Sequence, residues 1–239
     1  MSYDDAHFGQ DNTYWEKVAR TRWGAYIADI EKRAILKAHE LSGKPATALD
    51  IGAEGGRWSR VLADLGWHMI CTDINHEALA ICQKRLPAAR CIPVRPDENT
   101  LPCESASVGL LLCIEVGPVM QADWFTSEAF RVLQNDGLMV GVFWNRLSCR
   151  GMFAHTRASL TGNFDYYKLS YPLWRRKLVC SGYSVLYEEG YCWLPFGRAS
   201  NSVWVPCLVR LEKWLGLRKL ALISPCVQLG FFADSLTNF

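Results

Sequence analysis

The sequence predicts an α/β fold, with a mostly parallel sheet and helices on both of its faces. Short apolar runs alternate with segments whose apolar residues recur every three or four positions, as expected of strands alternating with helices. The apolar runs are continuous, which is typical of parallel strands buried on both faces. Gly52, Gly55 and Gly56 follow the first run and indicate a tight turn from strand to helix.

Length and composition favour one large globular domain. The chain has 239 residues, of which 50% are hydrophobic and 21% charged, enough to build a sizeable core. A formal net charge of +2 gives no basic field for a phosphate backbone, so no nucleic-acid partner is expected. We find no apolar stretch of membrane-spanning length and no secretory signal, and we therefore expect a cytoplasmic protein.

The ten cysteines are scattered along the chain without a C-x-x-C pair. In a chain of this size, which needs no disulfides for stability, we interpret them as reduced thiols at small apolar positions. Zinc sites usually take their ligands from closely spaced pairs, so no metal is expected.

The first half of the chain begins with helical periodicity from residue 12 to about 41, which ends at the Gly-Lys-Pro of 43–45. A strand is predicted at 46–51, and after the glycine loop a helix follows at 58–65. A second strand at 67–72 ends in Asp73, and Asn75 can cap the next helix. This order is that of β-α-β units.

The middle of the chain continues the alternation. The sequence predicts a third strand at 91–94 and a strong fourth strand at 108–116. A helix around 124–133 follows, and a fifth strand at 138–144 is preceded by a turn at 135–137.

The last third has a different texture, with many aromatic residues. Residues 151–171 are predicted to be loop-rich, and a helix is expected around 173–180. A second helix is expected at 202–215. The apolar runs at 183–193 and 226–232 can form an antiparallel pair at one edge of the sheet.

Residues 49–56 read L-D-I-G-A-E-G-G, and glycines at such a turn let a ligand approach the backbone at a helix N-terminus. A dinucleotide fingerprint would need glycine at positions 54 and 57, which are Glu54 and Arg57. A nicotinamide-dependent oxidoreductase is therefore the weaker interpretation. A cofactor-binding protein without transfer activity is a second alternative.

The same segment resembles the first motif of class I S-adenosylmethionine-dependent methyltransferases of the type 11 subgroup. Gly52 and Gly56 match the outer glycines of that motif, and Glu54 replaces the middle one. Asp73, at the end of the second strand, matches the acidic residue that accepts hydrogen bonds from both ribose hydroxyls. The resemblance implies S-adenosylmethionine as cofactor, with S-adenosylhomocysteine as product.

Residues 96–108, P-D-E-N-T-L-P-C-E-S-A-S-V, resemble the family's stretch after strand three. By that match Asp97 accepts from the adenine amino group, and the backbone beside Glu98 meets the ring edge. The Asp that usually starts strand four is Gly109 here. The cofactor contacts implied by the resemblance are Asp50, Gly52, Ala53, Glu54, Gly56, Asp73, Ile74, Asp97, Glu98 and Ile114.

The resemblance also implies a Rossmann-like class I methyltransferase fold, with a mostly parallel seven-stranded sheet and an antiparallel C-terminal edge. A single domain, 1–239, would then consist of an N-terminal helical lid (1–44), a cofactor-binding core (45–145) and a substrate-side part (146–239). The implied reaction is in-line methyl transfer to a small-molecule acceptor or one of lipid or saccharide type.

A hydroxyl acceptor would need a base, and the sequence offers weak candidates. His155 lies in the aromatic segment after the fifth strand, and Glu115 ends the fourth. Glu115 can instead be a structural carboxylate satisfied by helix N-terminal amides. His7 would enter only if the N-terminus folds over the cofactor, and Tyr166 is a further residue to test.

The acceptor itself is expected between segment 151–171, the N-terminal helix near Tyr14 and Trp23, and Glu115.

Segment 203–220 combines tryptophan and leucine with lysine and arginine, a composition found in helices that lie on membrane surfaces. Pro206 and the closing strand nearby favour packing onto the sheet edge instead. Peripheral membrane contact is therefore the alternative interpretation, and the sequence does not indicate an oligomeric state.

Overall fold

A computed structural model describes residues 13–233. One sheet holds the strands β1 Thr47–Ile51, β2 His68–Asp73, β3 Arg90–Pro93, β4 Val108–Cys113, β5 Leu133–Trp144, β6 Tyr183–Tyr191 and β7 Cys226–Ala233. The helices are α1 Tyr14–Ala19, α2 Arg22–Leu41, α3 Arg57–Asp64, α4 His76–Arg85, α5 Gly117–Met120, α6 Phe125–Val132, α7 Cys149–Thr161, α8 Tyr171–Cys180 and α9 Val205–Trp214. Two short 3-10 turns, Leu217–Lys219 and Ala221–Ile223, precede β7.

The strand order in the sheet is β3-β2-β1-β4-β5-β7-β6. Strands β1 to β5 pair in parallel, whereas β7 runs antiparallel between β5 and β6. The predicted fold is confirmed, including its antiparallel C-terminal edge. Because the chain leaves β1 toward β2 on one side and returns through β4 on the other, the carboxyl ends of β1 and β4 border the crevice where such sheets bind ligands.

Two apolar clusters, one on each face of the sheet, explain why the strands are continuous apolar runs. Along β4, Leu110 and Leu112 pack into the cluster that contains α2 and α3 residues. Leu111 and Cys113 pack into the opposite cluster with residues of α6 and α8. Successive side chains alternate between the faces, so both sets must be apolar.

The N-terminal helical pattern forms two helices rather than the single predicted one. Thr21 caps α2 by accepting a hydrogen bond from the Gly24 backbone N–H at 3.1 Å. A Cβ atom on Gly24 would lie 1.9 Å from the Val18 carbonyl oxygen, so only glycine permits this corner. The corner places α1 over the carboxyl ends of the strands.

The expectation of a loop-rich segment at 151–171 is confirmed for 162–170 and wrong for 151–161, because α7 occupies Cys149–Thr161. Ser148 caps this helix by accepting from the Gly151 N–H at 2.9 Å, and Gly162 ends it with φ of 68°. Both are ordinary helix signals whose aromatic surroundings obscured them.

The turn predicted at 135–137 also needs correction. Strand β5 begins at Leu133 and runs through these residues, with Asp136 in the left-handed region at φ of 67°. The register of β5 against β4 shifts between Val108 and Leu110, so the turn signal marks an irregularity inside a strand.

The predicted packing of segment 203–220 onto the sheet edge is confirmed for the turn Leu217–Lys219, where Arg218 Nη1 lies 3.0 Å from Glu189 Oε1 of the edge strand β6, whereas helix α9 packs mainly on another helix. It lies against α2, where the Tyr26 hydroxyl donates to Glu212. Its tryptophans remain in solvent, since Trp204 is 66% and Trp214 is 80% exposed. Within residues 13–233, no helix has the length and hydropathy needed to cross a membrane.

Candidate functional site

A cavity of about 480 Å³ opens where β1, β2 and β4 end, with α1 and α2 above it. This volume lies in the range of small-molecule and cofactor sites. The predicted site residues that line it are Gly52, Ala53, Glu54, Asp73, Ile74, Ile114 and Glu115. The fold therefore brings together residues from the ends of three strands.

The glycine loop turns tightly because its neighbours leave no room for side chains. Gly52 has φ of 69°, and a Cβ atom there would lie 2.5 Å from Val116 Cγ2. Gly56 has φ of 77°, and its Cβ would lie 2.6 Å from Cys82 Sγ. A side chain at Gly52 would thus strike Val116 as well as crowd a ligand, and the loop depends on glycine for its own packing.

Glu54, which replaces the middle glycine of the motif, also adopts a left-handed conformation with φ of 49°. Its backbone N–H donates to Asp73 Oδ2 at 2.8 Å. Its carboxylate accepts from the Thr13 hydroxyl at 2.7 Å and from the Trp15 N–H at 3.2 Å. Burial raises the pKa of Glu54. The residue joins the loop to α1 above it and to the end of β2.

Asp73 is held at the cavity wall by two backbone donors. Its Oδ2 accepts from Glu54, and its Oδ1 accepts from the Asn75 N–H at 2.8 Å. Each carboxylate oxygen can accept a second hydrogen bond. The side chain is thus oriented and still able to meet two adjacent hydroxyl groups.

Apolar side chains flank Asp73 on the same cavity wall. Ile74 and Ile114 line it as predicted, and Val94, which the sequence analysis did not name, joins them. The Val94 N–H donates to the Asp73 carbonyl at 3.1 Å, which fixes the loop after β3 beside the end of β2. Together these side chains offer the apolar surface that a flat ring needs.

Asp50 is buried behind the loop and does not line the cavity. It accepts from the Ser59 hydroxyl at 2.6 Å, which joins β1 to α3. Burial raises the pKa of Asp50 to about 7. The structure thus gives Asp50 a supporting position rather than one in contact with a ligand.

Three other predicted residues also lie outside the cavity lining. Gly56 turns the loop into α3, whereas Asp97 and Glu98 lie on the loop after β3. The Asp97 side chain is 78% exposed and its carboxylate lies 3.6 Å from the Arg95 guanidinium. The adenine contact assigned to Asp97 stays a prediction.

The cavity also carries a pair of carboxyl groups. Glu115 Oε2 lies 2.6 Å from Arg198 Nη1, and the Tyr191 hydroxyl donates to Glu115 Oε1 at 3.3 Å. Glu31 is only 3% exposed, and one of its oxygens has no hydrogen-bond partner in the described part of the chain. Burial, together with the Glu115 carboxylate, raises the pKa of Glu31 well above its usual value. A buried carboxyl group with a raised pKa therefore lies beside Glu115.

The structure shows where the Glu115 side chain lies, and its catalytic role stays a prediction. Glu115 lines the cavity, and the described residues that hold it are Arg198 and Tyr191 rather than helix N-terminal amides. The Glu115 backbone is left-handed, with φ of 61°, a conformation that is unfavourable for a non-glycine residue. Residues with such strained backbones cluster at functional sites.

The other base candidates do not meet in the cavity. His155 lies on α7 with its Nδ1 2.6 Å from Asp165 Oδ2, and it is not part of the cavity lining. Tyr166 packs edge-on against Trp144, with ring centroids 5.2 Å apart, and is also outside the lining. His7 lies outside the described residues.

Sequence reasoning missed Glu31 and Arg198. A signal for Glu31 was available, because it interrupts the apolar stripe of α2 four residues after Ile27 and four before Ile35. A charge on the buried face of a helix is unusual unless it is paired or functional. Arg198 had no local signal, since it reaches the cavity only through the path of the chain between β6 and α9.

All ten cysteines are free thiols, as expected. The fold nevertheless brings the sulfur atoms of Cys71, Cys82 and Cys91 within 4.8 Å of one another. They come from β2, α4 and β3, so no short sequence spacing could reveal the cluster. Cys82 packs against Gly56 and helps to explain the glycine there.

The fold and the cavity together define the class of protein. A mixed seven-stranded sheet of this order, with a glycine loop after β1 and a carboxylate after β2, has the architecture of the class I methyltransferases that the sequence resembles. Residues 49–141 match the family model of the methyltransferase domain. The resemblance is confirmed, and with it S-adenosylmethionine as the cofactor that the family implies.

Solved structures agree over most of the chain at low sequence identity. A candidate sarcosine dimethylglycine methyltransferase from Galdieria sulphuraria has a TM-score of 0.60 at 13% identity, covering 88% of this chain and 86% of its own. An S-adenosylmethionine-dependent methyltransferase from Mesorhizobium loti has a TM-score of 0.57 at 14% identity, covering 84% and 97%. A candidate one from Listeria monocytogenes reaches 0.61 at 10% identity, covering 88% and 100%. No curated protein sequence matches the chain.

Proposed function

We propose that the protein transfers a methyl group from S-adenosylmethionine to an acceptor held in the same cavity. The observation that carries the proposal is the division of the cavity. Because β1 lies between β2 and β4 in the sheet, Asp73 after β2 and Glu115 after β4 lie on opposite sides of the glycine loop, and Glu31 lies beside Glu115. A cofactor site and a site for a proton-bearing group thus share one space.

The residues present fit the cofactor. Asp73 would accept from the ribose hydroxyls, while Ile74, Val94 and Ile114, which line the same cavity, would pack against the adenine ring. The bound cofactor supplies an electrophilic methyl group on a sulfonium centre. Helix α1, tied to the loop through Glu54, covers the cavity and limits the access of water.

On the β4 side of the loop, Glu115 accepts a hydrogen bond or a proton from the acceptor. Arg198 and Tyr191 orient its carboxylate. The raised pKa of Glu31 favours its protonated form, which can donate a hydrogen bond to the acceptor from the neighbouring wall. The acceptor is therefore a small molecule, or the polar part of a lipid or saccharide, that presents a hydroxyl or amino group.

Equilibrium binding tests the cofactor half of the proposal. Calorimetry with S-adenosylhomocysteine is expected to show one saturable site, and NAD is expected to give no heat of binding. The reverse result would favour a nicotinamide-dependent oxidoreductase. Binding without turnover of a labelled methyl group across an acceptor library would favour a protein that binds the cofactor without transferring the methyl group.

The catalytic half depends on Glu115. We expect Glu115→Gln to lower turnover by about a hundredfold or more, the order expected for losing a general base, with little change in S-adenosylhomocysteine affinity. His155→Ala is the matched control, since His155 does not line the cavity, and it is expected to leave turnover nearly unchanged. A large loss in His155→Ala with normal turnover in Glu115→Gln would assign the base to His155.

A further inference from the structure

Helix α9 presents apolar side chains on two faces, only one of which is covered. Its inner face packs on α2, where Val205 and Glu212 are buried. On the outer side, Trp204, Leu211 and Trp214 are 66%, 43% and 80% exposed. They lie seven and three residues apart, so they project from one side of the helix.

The exposed apolar surface continues beyond the helix. Leu215, at the C-terminal end of α9, is exposed. Leu220, Leu222 and Ile223, in and beside the two 3-10 turns, are exposed as well. Single exposed leucines are common, but a run of this length with two indoles is typical of an interaction surface.

The charges of this segment are distributed unequally between core and surface. Residues 203–223 contain one acidic residue, Glu212, which is buried and held by Tyr26 and Arg218. Arg210, Lys213 and Lys219 are exposed, and no carboxylate of residues 13–233 pairs with them. The surface of the segment is therefore apolar and basic, although the whole chain carries a net charge of only +2.

We propose that α9 and the turns after it, residues 204–223, dock on the surface of an anionic lipid bilayer. Indole rings favour the boundary between headgroups and acyl chains, and lysine and arginine are attracted to anionic headgroups. The ten-residue helix is about 15 Å long, enough to lie in the interface and too short to cross the bilayer.

The packing of α9 on α2 supports docking on a bilayer. Its inner face is fixed on α2, so the helix is already formed and its outer side chains are already presented. Docking then requires little ordering of the chain. Helix α2 also lines the cavity through Ile27 and Glu31, so a bound bilayer would lie beside the helix that borders the site. The inference does not depend on methyl transfer.

Co-sedimentation of the full chain with vesicles tests the proposal. We expect binding to phosphatidylcholine vesicles that contain phosphatidylglycerol, and much weaker binding to vesicles of phosphatidylcholine alone. High salt is expected to reduce the binding, because the basic side chains act through a screened electrostatic attraction. Absence of binding to the anionic vesicles would overturn the proposal.

Two double substitutions on α9, each with a control on α8, test which surface binds the vesicles. Trp204→Ser/Trp214→Ser is expected to weaken binding at least about tenfold. Its control is Leu173→Ser, an exposed apolar residue of α8, which packs on the other face of the sheet. Arg210→Glu/Lys213→Glu is expected to abolish the preference for anionic vesicles. Its control is Arg176→Glu/Lys177→Glu, also on α8.

Circular dichroism and S-adenosylhomocysteine affinity check that the variants fold. If the tryptophan variant is unfolded, the charge-reversed variant decides the question. Unchanged vesicle binding in folded Trp204→Ser/Trp214→Ser, or equal losses in the α8 controls, would contradict the proposal. Concentration-dependent dimerisation through this surface, without vesicle binding, would assign the surface to a second copy of the chain instead.

Discussion

At the scale of single residues, Asp73 combines two tasks. Its carboxylate fixes the loop through the Glu54 N–H and leaves acceptor positions free for a ligand. Asp73→Ala is expected to weaken S-adenosylhomocysteine binding by about 2 to 4 kcal/mol, which is roughly thirty- to a thousandfold. Calorimetry measures this directly.

The control for that experiment is Asp97→Asn. Asp97 is exposed outside the cavity lining, and an amide oxygen can still accept a hydrogen bond, so a loss of about 1 kcal/mol or less is expected. Equal losses in the two variants would mean that the ribose contact has been assigned to the wrong carboxylate.

Asp50 is expected to make stability depend on pH. Burial raises its pKa from 3.8 to about 7, so the folded state holds a proton that the unfolded state releases between these values. The stabilisation is complete below about pH 4 and is lost as the pH rises toward about 7, by up to about 4 kcal/mol. In Asp50→Asn, the free energy of unfolding should decrease less over this interval.

Denaturant unfolding at several pH values measures the effect. Asparagine can keep the hydrogen bond from Ser59, so the variant is expected to fold. Asp97→Asn, which removes an exposed carboxylate, serves as the control. Parallel pH profiles of wild type and Asp50→Asn would show that Asp50 does not titrate in this interval.

At the scale of elements, the junction between the glycine loop and the start of α5 is set by one close contact. Gly52→Ala combines a left-handed backbone, at about 1 to 2 kcal/mol, with a collision against Val116. Gly43→Ala isolates the backbone effect, since Gly43 has φ of 74° and nothing within 4 Å of the added Cβ. We expect Gly52→Ala to destabilise the fold more than Gly43→Ala.

A second substitution tests the collision itself. Val116→Ala in the Gly52→Ala background removes the methyl group that the new Cβ would meet, and it is expected to recover part of the lost stability. Denaturant midpoints of the four variants give the coupling. If Val116→Ala lowers the stability of the Gly52→Ala variant as much as it lowers that of the wild type, the loop has moved away from Val116.

At the scale of the whole molecule, α1 closes the cavity through polar contacts to two distant elements. Thr13 and Trp15 reach Glu54, and Glu16 pairs with Arg85 of α4 at 2.7 Å. Arg85 also donates to the Gly55 carbonyl at 2.8 Å, so α1, the loop and α4 are linked.

Ligand binding is therefore expected to slow amide exchange in residues 14–19 and 52–57 together. At a ligand concentration of a hundred times Kd, the folded state gains about 2.7 kcal/mol. Helix α8, on the other face of the sheet, is the internal control and should show only the global change. Protection of the loop without protection of α1 would show that the helix does not close over the ligand.

The order of the first strands, the glycine loop and the carboxylate after β2 were predictable from the sequence, because each is a local pattern. Continuous apolar runs require burial on both faces, and a strand followed by glycines requires a tight turn. Helix α7 was locally encoded as well, in Ser148 and Gly162, but its aromatic composition was interpreted as loop.

The carboxyl pair and the exposed face of α9 were decided by the tertiary structure. Glu31, Glu115 and Arg198 come from α2, the end of β4 and the chain after β6, and no local pattern relates them. The periodicity of α9 shows that its sides are apolar, but not which side meets α2. Local sequence sets the conformation of a segment, whereas burial and charge pairing depend on which distant segments pack against it.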